Sequence, residues 1–191
     1  MRIVFMGPPG AGKGTQARLS AKELGIAHIS TGEMLRSAVE AESVLGSRVK
    51  EIMDDGQLVP DDLMVSLISE RVVEPDCLKG YILDGFPRTV AQANSLDVML
   101  EAKEEQLDLA LYFDVPSAEV LNRLEQRREL EGRTDDTSAT QQERLRVYEE
   151  QTLPLIDYYR GKGLLKKIDG LGNVEEIQLR VVEVLRACQS S

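Results

Sequence analysis

Short apolar runs alternate along the chain with longer segments in which apolar positions recur at helical spacing. The short runs end at or before glycine, proline or aspartate, a pattern typical of strands buried inside a parallel sheet. The predicted strands cover residues 2–6, 28–30, 81–83, 109–115 and 164–168. Because helical segments separate these strands, the order predicts an α/β fold of three layers, with helices on both faces of a parallel sheet of about five strands.

Capping signals bound the helical segments. Thr140 is followed three residues later by Glu143, which predicts a capping box at the start of a long helix. Thr89 and Gln92 have the same spacing. The predicted helices cover residues 14–24, 31–41, 44–54, 61–73, a segment from 89, 117–130, 140–159 and a segment from 173.

Two segments exceed what the connections of such a sheet require. About three helices lie between the second and third strands, where one is enough to join parallel strands. A polar, turn-like loop also splits the helical segment between the fourth and fifth strands. We interpret residues 30–59 and 126–136 as insertions at the sheet edge where α/β proteins bind ligands, within a single domain of residues 1–191.

A glycine-rich loop, GPPGAGKGT at residues 7–15, follows the first predicted strand and opens the first helix. Glycines allow backbone N–H groups to close on phosphate oxygens, and the helix N-terminus adds positive potential. Lys13 would then reach the β- and γ-phosphates of a nucleoside triphosphate. Gly14 stands where the general P-loop pattern has Ser or Thr, and the hydroxyl comes one residue later, at Thr15. The loop, its strand and its helix together predict a P-loop.

Polar motifs follow two other predicted strands. STGEMLR, residues 30–36, places Thr31 as a helix cap and Arg36 one turn into the helix, where its guanidinium can pair with a phosphate. Asp84 ends the third strand within YILDGFPRTVAQ, residues 81–92. A carboxylate at this position is the Walker-B arrangement, which faces Mg²⁺.

Four arginines follow the fourth predicted strand. Arg123 and Arg127 are four residues apart and share a helix face, Arg133 lies in the polar loop, and Arg144 lies one turn into the next helix. Taken singly, such arginines are more typical of a solvated surface, paired with nearby glutamates.

The motifs together resemble those of adenylate kinases and their nucleoside monophosphate kinase relatives, along the whole chain. The variant GKGT, the segment DGFPR and the spacing of RLEQRR, GRTDD and ERLRVYEEQTLPL carry the resemblance. It implies a P-loop NTPase fold and the reversible transfer of the terminal phosphoryl group of MgATP to AMP, giving two ADP. Positioning, together with charge stabilisation by Lys, Arg and Mg²⁺, would supply the catalysis.

The resemblance also implies a role for each matching residue. Those implied to bind ATP are Gly10, Ala11, Gly12, Lys13, Gly14, Thr15, Arg123, Arg127 and Gly172. Those implied to bind AMP are Thr31, Arg36, Gln57, Leu58, Val59, Gly85, Phe86, Pro87, Arg88, Gln92, Arg133 and Arg144. Those implied in catalysis are Lys13, Arg88, Arg123, Arg133 and Arg144, while Asp84, through water, and Thr15 would hold Mg²⁺. Residues 30–59 would close over AMP as a helical insertion, and residues 126–136 would close over ATP as a short lid.

Three alternative functions can be compared with an adenylate kinase by sequence features. UMP/CMP kinases typically have alanine in place of Thr31 and asparagine in place of Thr89, so both threonines favour AMP. A P-loop GTPase switch needs an Asn/Thr-Lys-x-Asp motif, which the sequence lacks. A non-catalytic nucleotide sensor is expected to lose Lys13, Asp84 or Arg88, and the sequence keeps all three.

Other charged residues receive no role in this interpretation. Arg128 and Arg146 adjoin proposed site arginines but should point to other faces, and His28 is more typical of structural packing. Asp135 and Asp136 match an acidic pair in the family motif without an assignable role.

Composition narrows the partners to small molecules. The net charge of −10 at pH 7 argues against a nucleic-acid backbone or an anionic membrane surface, although converging cations can still bind a small anion. The two cysteines lie far apart and away from the polar loop, so we expect reduced thiols and a lid without zinc. We further expect a cytoplasmic monomer whose partners are ATP, AMP and ADP, because no stretch approaches about 18 apolar residues and the start does not resemble a signal peptide.

Overall fold

The computed structural model describes residues 1–131 and 137–189, with side chains left out for 127–131. The strands are β1 (Arg2–Met6), β2 (Ala27–Ser30), β3 (Tyr81–Asp84), β4 (Leu109–Asp114) and β5 (Leu165–Asp169). The α-helices are α1 (Lys13–Leu24), α2 (Thr31–Glu40), α3 (Val44–Asp54), α4 (Asp61–Arg71), α5 (Val90–Glu101), α6 (Ser117–Glu131), α7 (Ser138–Val147), α8 (Leu155–Gly161) and α9 (Val174–Gln189). A 3₁₀ turn covers Pro75–Cys77 and a π-helical turn covers Tyr148–Thr152.

Over these residues the strands form one parallel sheet in the order β2-β3-β1-β4-β5. In the register, Asp84 lies opposite Phe5 of β1 on one side and opposite Ser30 of β2 on the other. The carboxyl ends of these three strands therefore bring the P-loop, the start of α2 and Asp84 to the same edge of the sheet.

The central strand β1 divides the core into two layers. Ile3 and Phe5 pack on one face, in a cluster that includes Val181 of α9. Val4 points to the other face, in a cluster that includes Ile68 of α4. This alternation follows from the two-residue period of a strand, and it confirms the predicted three-layer α/β architecture.

The predicted helix over 140–159 is wrong in two respects. It begins at Ser138, because Thr137 is the N-cap and its side chain accepts from Thr140 N at 3.2 Å. Thr140 is instead turned to α3, where its hydroxyl donates to Asp54 O at 3.1 Å. The segment is also divided by the π-helical turn before Pro154, which has no N–H to continue the helical ladder.

The start of α2 differs from the prediction as well. Ser30, not Thr31, is the N-cap, and its hydroxyl accepts from Glu33 N at 3.4 Å. At the start of α5, Thr89 is the N-cap as predicted, and it accepts from Gln92 N at 3.1 Å. No helix within the described ranges is long and apolar enough to cross a membrane.

Candidate active site

A cavity of about 300 Å³ opens at the carboxyl edge of β1, β2 and β3. Its volume lies at the lower end of the range of small-molecule sites. Most of the predicted site residues line it: Gly10, Gly12, Lys13, Gly14, Thr15, Thr31, Arg36, Gln57, Leu58, Val59, Asp84, Gly85, Pro87, Arg88, Gln92, Arg123 and Arg144. Residues separated by more than a hundred positions in the sequence thus meet around one space.

The P-loop turns tightly between β1 and α1. Ala11 N donates to Pro8 O at 3.1 Å, which closes the turn. The Lys13 ammonium donates to Gly7 O at 2.7 Å and to Pro8 O at 2.8 Å. Lys13 is therefore held against its own loop, at the mouth of α1, where the helix dipole favours an anion.

Asp84 lies directly against the P-loop. A Cβ placed on Gly14 would be 3.2 Å from Asp84 Oδ2, so a larger residue after Lys13 would require that carboxylate to shift. Burial alone would raise the pKa of Asp84, but the adjacent His28 imidazole and the charges of Lys13 and Arg88 outweigh it and lower the pKa. Asp84 is therefore ionised at neutral pH, and an ionised carboxylate is a donor group that suits Mg²⁺.

His28 belongs to the surroundings of this carboxylate. Its Nε2 is 3.7 Å from Asp84 Oδ2, beyond the range of a good hydrogen bond. Among the described residues, His28 is not one of those that line the cavity. The structure thus places it beside the site, on the edge strand β2.

The cavity arginines are held by backbone carbonyls and carboxylates. Arg88 Nε donates to Gly85 O at 3.0 Å, and Arg88 N donates to Gln92 Oε1 at 2.7 Å. Arg123 donates to Glu119 Oε1 at 2.6 Å and to Gly170 O at 2.9 Å. These contacts fix the guanidinium groups before any ligand binds.

The arginines also act on one another. The Arg88 side chain is exposed to the cavity but surrounded by protein, and this environment, with the charges of Arg144 and Arg36, lowers its pKa. Asp84 opposes that shift. Such a concentration of positive charge costs free energy unless an anion binds between the cations, so the cavity suits a polyanion.

The insertion side of the cavity is built from α2, the loop after α3, and the β3–α5 loop. Thr31 is 1% exposed, and its hydroxyl donates to Asp84 O at 3.4 Å. Gly85 has a φ of +83°, and a Cβ there would lie 2.7 Å from Thr31 Oγ1. The loop after α3 meets α7, since Gln57 Nε2 donates to Glu143 Oε1 at 2.5 Å and Arg144 Nη2 donates to Met53 O at 3.5 Å.

Some predicted site residues do not line the cavity within the part of the chain that the structure describes. Ala11 and Phe86 are fully buried beside it. Gly172 follows β5, where a Cβ would collide with Glu176. The side chain of Arg127, like that of Arg128, and the whole of Arg133, Asp135 and Asp136 lie outside the described residues. Arg146 forms ion pairs with Glu143 and Glu150, away from the cavity, as predicted.

Several lining residues carried no sequence signal. Arg18 lines the cavity from α1 and pairs with Glu33 of α2 at 3.2 Å. Met53 and Tyr148 line it from α3 and from the π-helical turn. Arg18 lies four residues after Gly14, and its helical spacing from the P-loop is the one signal that could have identified it.

The P-loop on a central parallel strand, the acidic residue at the neighbouring strand end and the converging cations define a P-loop phosphotransferase of the nucleoside monophosphate kinase class. The sequence model of the adenylate kinase family matches residues 5–164. The chain therefore belongs to the adenylate kinase family, whose reaction is the reversible transfer of a phosphoryl group between ATP and AMP.

Similar proteins come from distant sources. An adenylate kinase of Stenotrophomonas maltophilia (strain K279a) is 44% identical over 187 residues, which cover 98% of this chain and 100% of the relative. One of Leptospira biflexa serovar Patoc is 49% identical over 176 residues, covering 92% and 95%. One of Archaeoglobus fulgidus is 42% identical over 217 aligned positions, covering all of both chains.

Proposed function

We propose that the chain transfers the terminal phosphoryl group of MgATP to AMP by holding the two nucleotides end to end in this cavity. The observation that supports this most is the meeting of Lys13, Arg36, Arg88, Arg123 and Arg144 around one space beside Asp84. ATP takes the P-loop side, and AMP takes the side of the helical insertion. Phosphoryl transfer needs in-line positioning and neutralisation of the equatorial oxygens, and a set of fixed cations supplies both.

On the ATP side, the loop from Gly10 to Thr15 binds the phosphates. Lys13 exchanges its bonds to Gly7 O and Pro8 O for bonds to phosphate oxygens. Arg123 binds the phosphates from α6, Arg127 assists it, and the backbone at Gly172 contacts the base. Arg133, which lies between α6 and α7 in the sequence, acts with Arg144 on AMP and on the transferring phosphoryl group.

Mg²⁺ fits the residues at the P-loop. The Asp84 carboxylate is ionised and lies against Gly14, and the exposed Thr15 hydroxyl lines the same cavity. Both are hard oxygen donors of the kind that Mg²⁺ prefers, and Asp84 would act through water. When bound, the ion neutralises charge on the β- and γ-phosphates.

On the AMP side, Arg36 and Arg88 bind the monophosphate. Thr31 and Gln92 contact adenine, and the backbone of residues 57–59 and 85–88 completes the pocket. Arg88 and Arg144 lie between the two nucleotides and stabilise the transferring group. Because Arg88 N is already bonded to Gln92, the base and phosphate sites are held at a fixed separation.

Water competes with AMP as acceptor, so the enzyme closes before it reacts. We propose that residues 30–59 close over AMP. Within the proposed lid, 126–136, the backbone of 126–131 belongs to α6 and is not a loop as predicted, and residues 132–136 lie outside the described residues. We also propose that the chain acts as a cytoplasmic monomer. Its lid binds no zinc, because Cys77 and Cys188 lie away from residues 126–136 in the sequence.

The test is a coupled assay of the purified chain with MgATP and each of AMP, UMP, CMP and GMP. We expect rapid phosphorylation of AMP and at least a hundredfold lower kcat/KM for the pyrimidine nucleotides. Excess EDTA should abolish transfer, and added Mg²⁺ should restore it. Equal activity on UMP or CMP would contradict the AMP assignment, and full activity in EDTA would contradict the role of Asp84.

A further inference from the structure

A closed ring of hydrogen bonds links α4 to the loop before α5, next to the AMP side of the cavity. Asp61, the first residue of α4, accepts from Thr89 Oγ1 at 2.9 Å and from Gln92 Nε2 at 2.7 Å, with one bond on each carboxylate oxygen. Thr89 Oγ1 accepts in turn from Gln92 N at 3.1 Å. Gln92 Oε1 accepts from Arg88 N at 2.7 Å. Both polar atoms of the Gln92 side chain are therefore held.

The partners decide which way round the Gln92 amide stands. A backbone N–H only donates, so Arg88 N requires the amide oxygen. A carboxylate at neutral pH only accepts, so Asp61 requires the amide nitrogen. If the amide were rotated by 180°, its NH2 group would face the Arg88 N–H, which is also a donor. Its oxygen would face the Asp61 carboxylate, which is also an acceptor. Gln92 is 1% exposed, so little water reaches it to repair these contacts.

A fixed amide can distinguish two classes of purine. Adenine presents an amino donor beside the acceptor N1, whereas hypoxanthine and guanine present a carbonyl acceptor beside an N1–H donor. A glutamine that is free to turn can pair with either edge, since its amide has one donor side and one acceptor side. Gln92 lines the cavity, and each of its amide atoms has one more hydrogen-bonding position than the ring uses.

We propose that Asp61 is a specificity-determining residue that locks the Gln92 amide, so that the site accepts 6-amino purine monophosphates and rejects 6-oxo purine monophosphates. The proposal rests on the proposed function, in which Gln92 contacts the base. Asp61 is not among the described residues that line the cavity, so it acts through Gln92 as a positioning residue. A site with buried polar groups rejects a mismatched partner strongly, because the mismatch leaves those groups unpaired.

The experiment compares Asp61→Ala, which removes the acceptor for the Gln92 amide nitrogen, with Asp62→Ala. Asp62 is the next residue in the first turn of α4 and is exposed, so its variant loses the same charge at nearly the same place. The measurement is kcat/KM with MgATP for AMP, IMP and GMP. IMP has no 2-amino group, so it reports the pairing at the 6-position without an added steric contact.

We expect the AMP-to-IMP ratio to fall at least tenfold in Asp61→Ala, mainly through KM, and to stay unchanged in Asp62→Ala. Both substrates are assayed with the same preparation of each variant. An unfolded fraction lowers kcat/KM for AMP and IMP by the same factor and so cancels in the ratio. A second variant, Thr89→Val, removes the bond on the other carboxylate oxygen and should lower the same ratio by a smaller factor. A ratio that is unchanged in both Asp61→Ala and Thr89→Val overturns the proposal.

Gln92→Ala separates this proposal from the one on which it rests. If Gln92→Ala changes the AMP-to-IMP ratio and neither Asp61→Ala nor Thr89→Val does, the lock is wrong and the base contact stands. If Gln92→Ala leaves the ratio unchanged, Gln92 does not contact adenine, and the proposed role of Asp61 is wrong as well. If the wild-type chain does not phosphorylate AMP, the proposed function itself is wrong.

Discussion

Gly85 is a position where one added methyl group should combine backbone strain with a collision in the AMP site. Its φ is +83°, and a Cβ there would lie 2.7 Å from Thr31 Oγ1. Gly25 provides a matched control, because its φ is +64° but a Cβ there would meet nothing within 4 Å. Gly85→Ala and Gly25→Ala therefore share the cost of a left-handed alanine, and only the first adds the collision.

The structure sets the expected magnitudes. A left-handed conformation costs an L-residue about 1–2 kcal/mol. At Gly85 the Thr31 side chain must also move, which gives up its hydrogen bond to Asp84 O and strains its rotamer, for about 1–2 kcal/mol more. We expect the free energy of unfolding to fall by about 2–4 kcal/mol in Gly85→Ala and by about 1–2 kcal/mol in Gly25→Ala. Each kcal/mol corresponds to a Tm shift of about 2–4 °C at this chain length.

Urea unfolding of both variants measures these losses, and steady-state kinetics measures KM for AMP. Gly85→Ala should raise KM for AMP at least tenfold, whereas Gly25→Ala should leave it unchanged. In a Thr31→Ala background the hydroxyl is gone, so Gly85→Ala should cost no more than Gly25→Ala. Equal losses in the two single variants, or an excess that persists without the Thr31 hydroxyl, would refute the steric argument.

Three further predictions concern single side chains. Lys13→Met should lower kcat by about a thousandfold or more, with cooperative unfolding retained by circular dichroism, and near-normal turnover would contradict its role on the phosphates. Thr31→Ala should reduce the preference for AMP over UMP and CMP, and an unchanged ratio of kcat/KM would remove the argument for adenine. Burial raises the pKa of Tyr81 to about 12, so the folded phenol keeps its proton at a pH where the unfolded one loses it. The stability that the Tyr81 phenol contributes is present below about pH 10 and is lost as the pH rises toward 12. Urea unfolding at a series of pH values should therefore show a decrease in the free energy of unfolding across this interval. In Tyr81→Phe the slope of that decrease should be smaller by the equivalent of one proton.

The strands and the P-loop were predictable because their signals are local. Each predicted strand overlaps the observed one, and the glycines of residues 7–15 specify their turn within nine neighbouring positions. The order β2-β3-β1-β4-β5 depends on pairing between distant segments, which a single sequence does not encode locally. The error at Thr140 has the same origin. Two threonines three residues apart could each cap the helix, and the contact of Thr140 with Asp54 decides between them.

The site residues also fall into those that local sequence signals predicted and those that depend on contacts between distant segments. The residues at strand ends and the family motifs predicted most of the cavity lining, including Lys13, Arg36 and Arg88. Tyr148 and Met53 could not be predicted, because the way their segments approach the cavity decides which side chains reach it. Asp61 gave no signal as a partner of Gln92, since the two residues are brought together only by the packing of α4 against α5.

The two bonds from Lys13 to the carbonyl groups of Gly7 and Pro8 bear on how tightly a nucleotide can be held. An incoming phosphate competes with both carbonyls for the Lys13 ammonium, so the measured affinity is weaker than the phosphate contacts alone would give. The same two bonds shape the loop in advance, which lessens the ordering that binding would otherwise require. Weaker binding of the nucleotide to a preorganised P-loop favours rapid release of ADP. Product release limits turnover in many enzymes that close over their substrates.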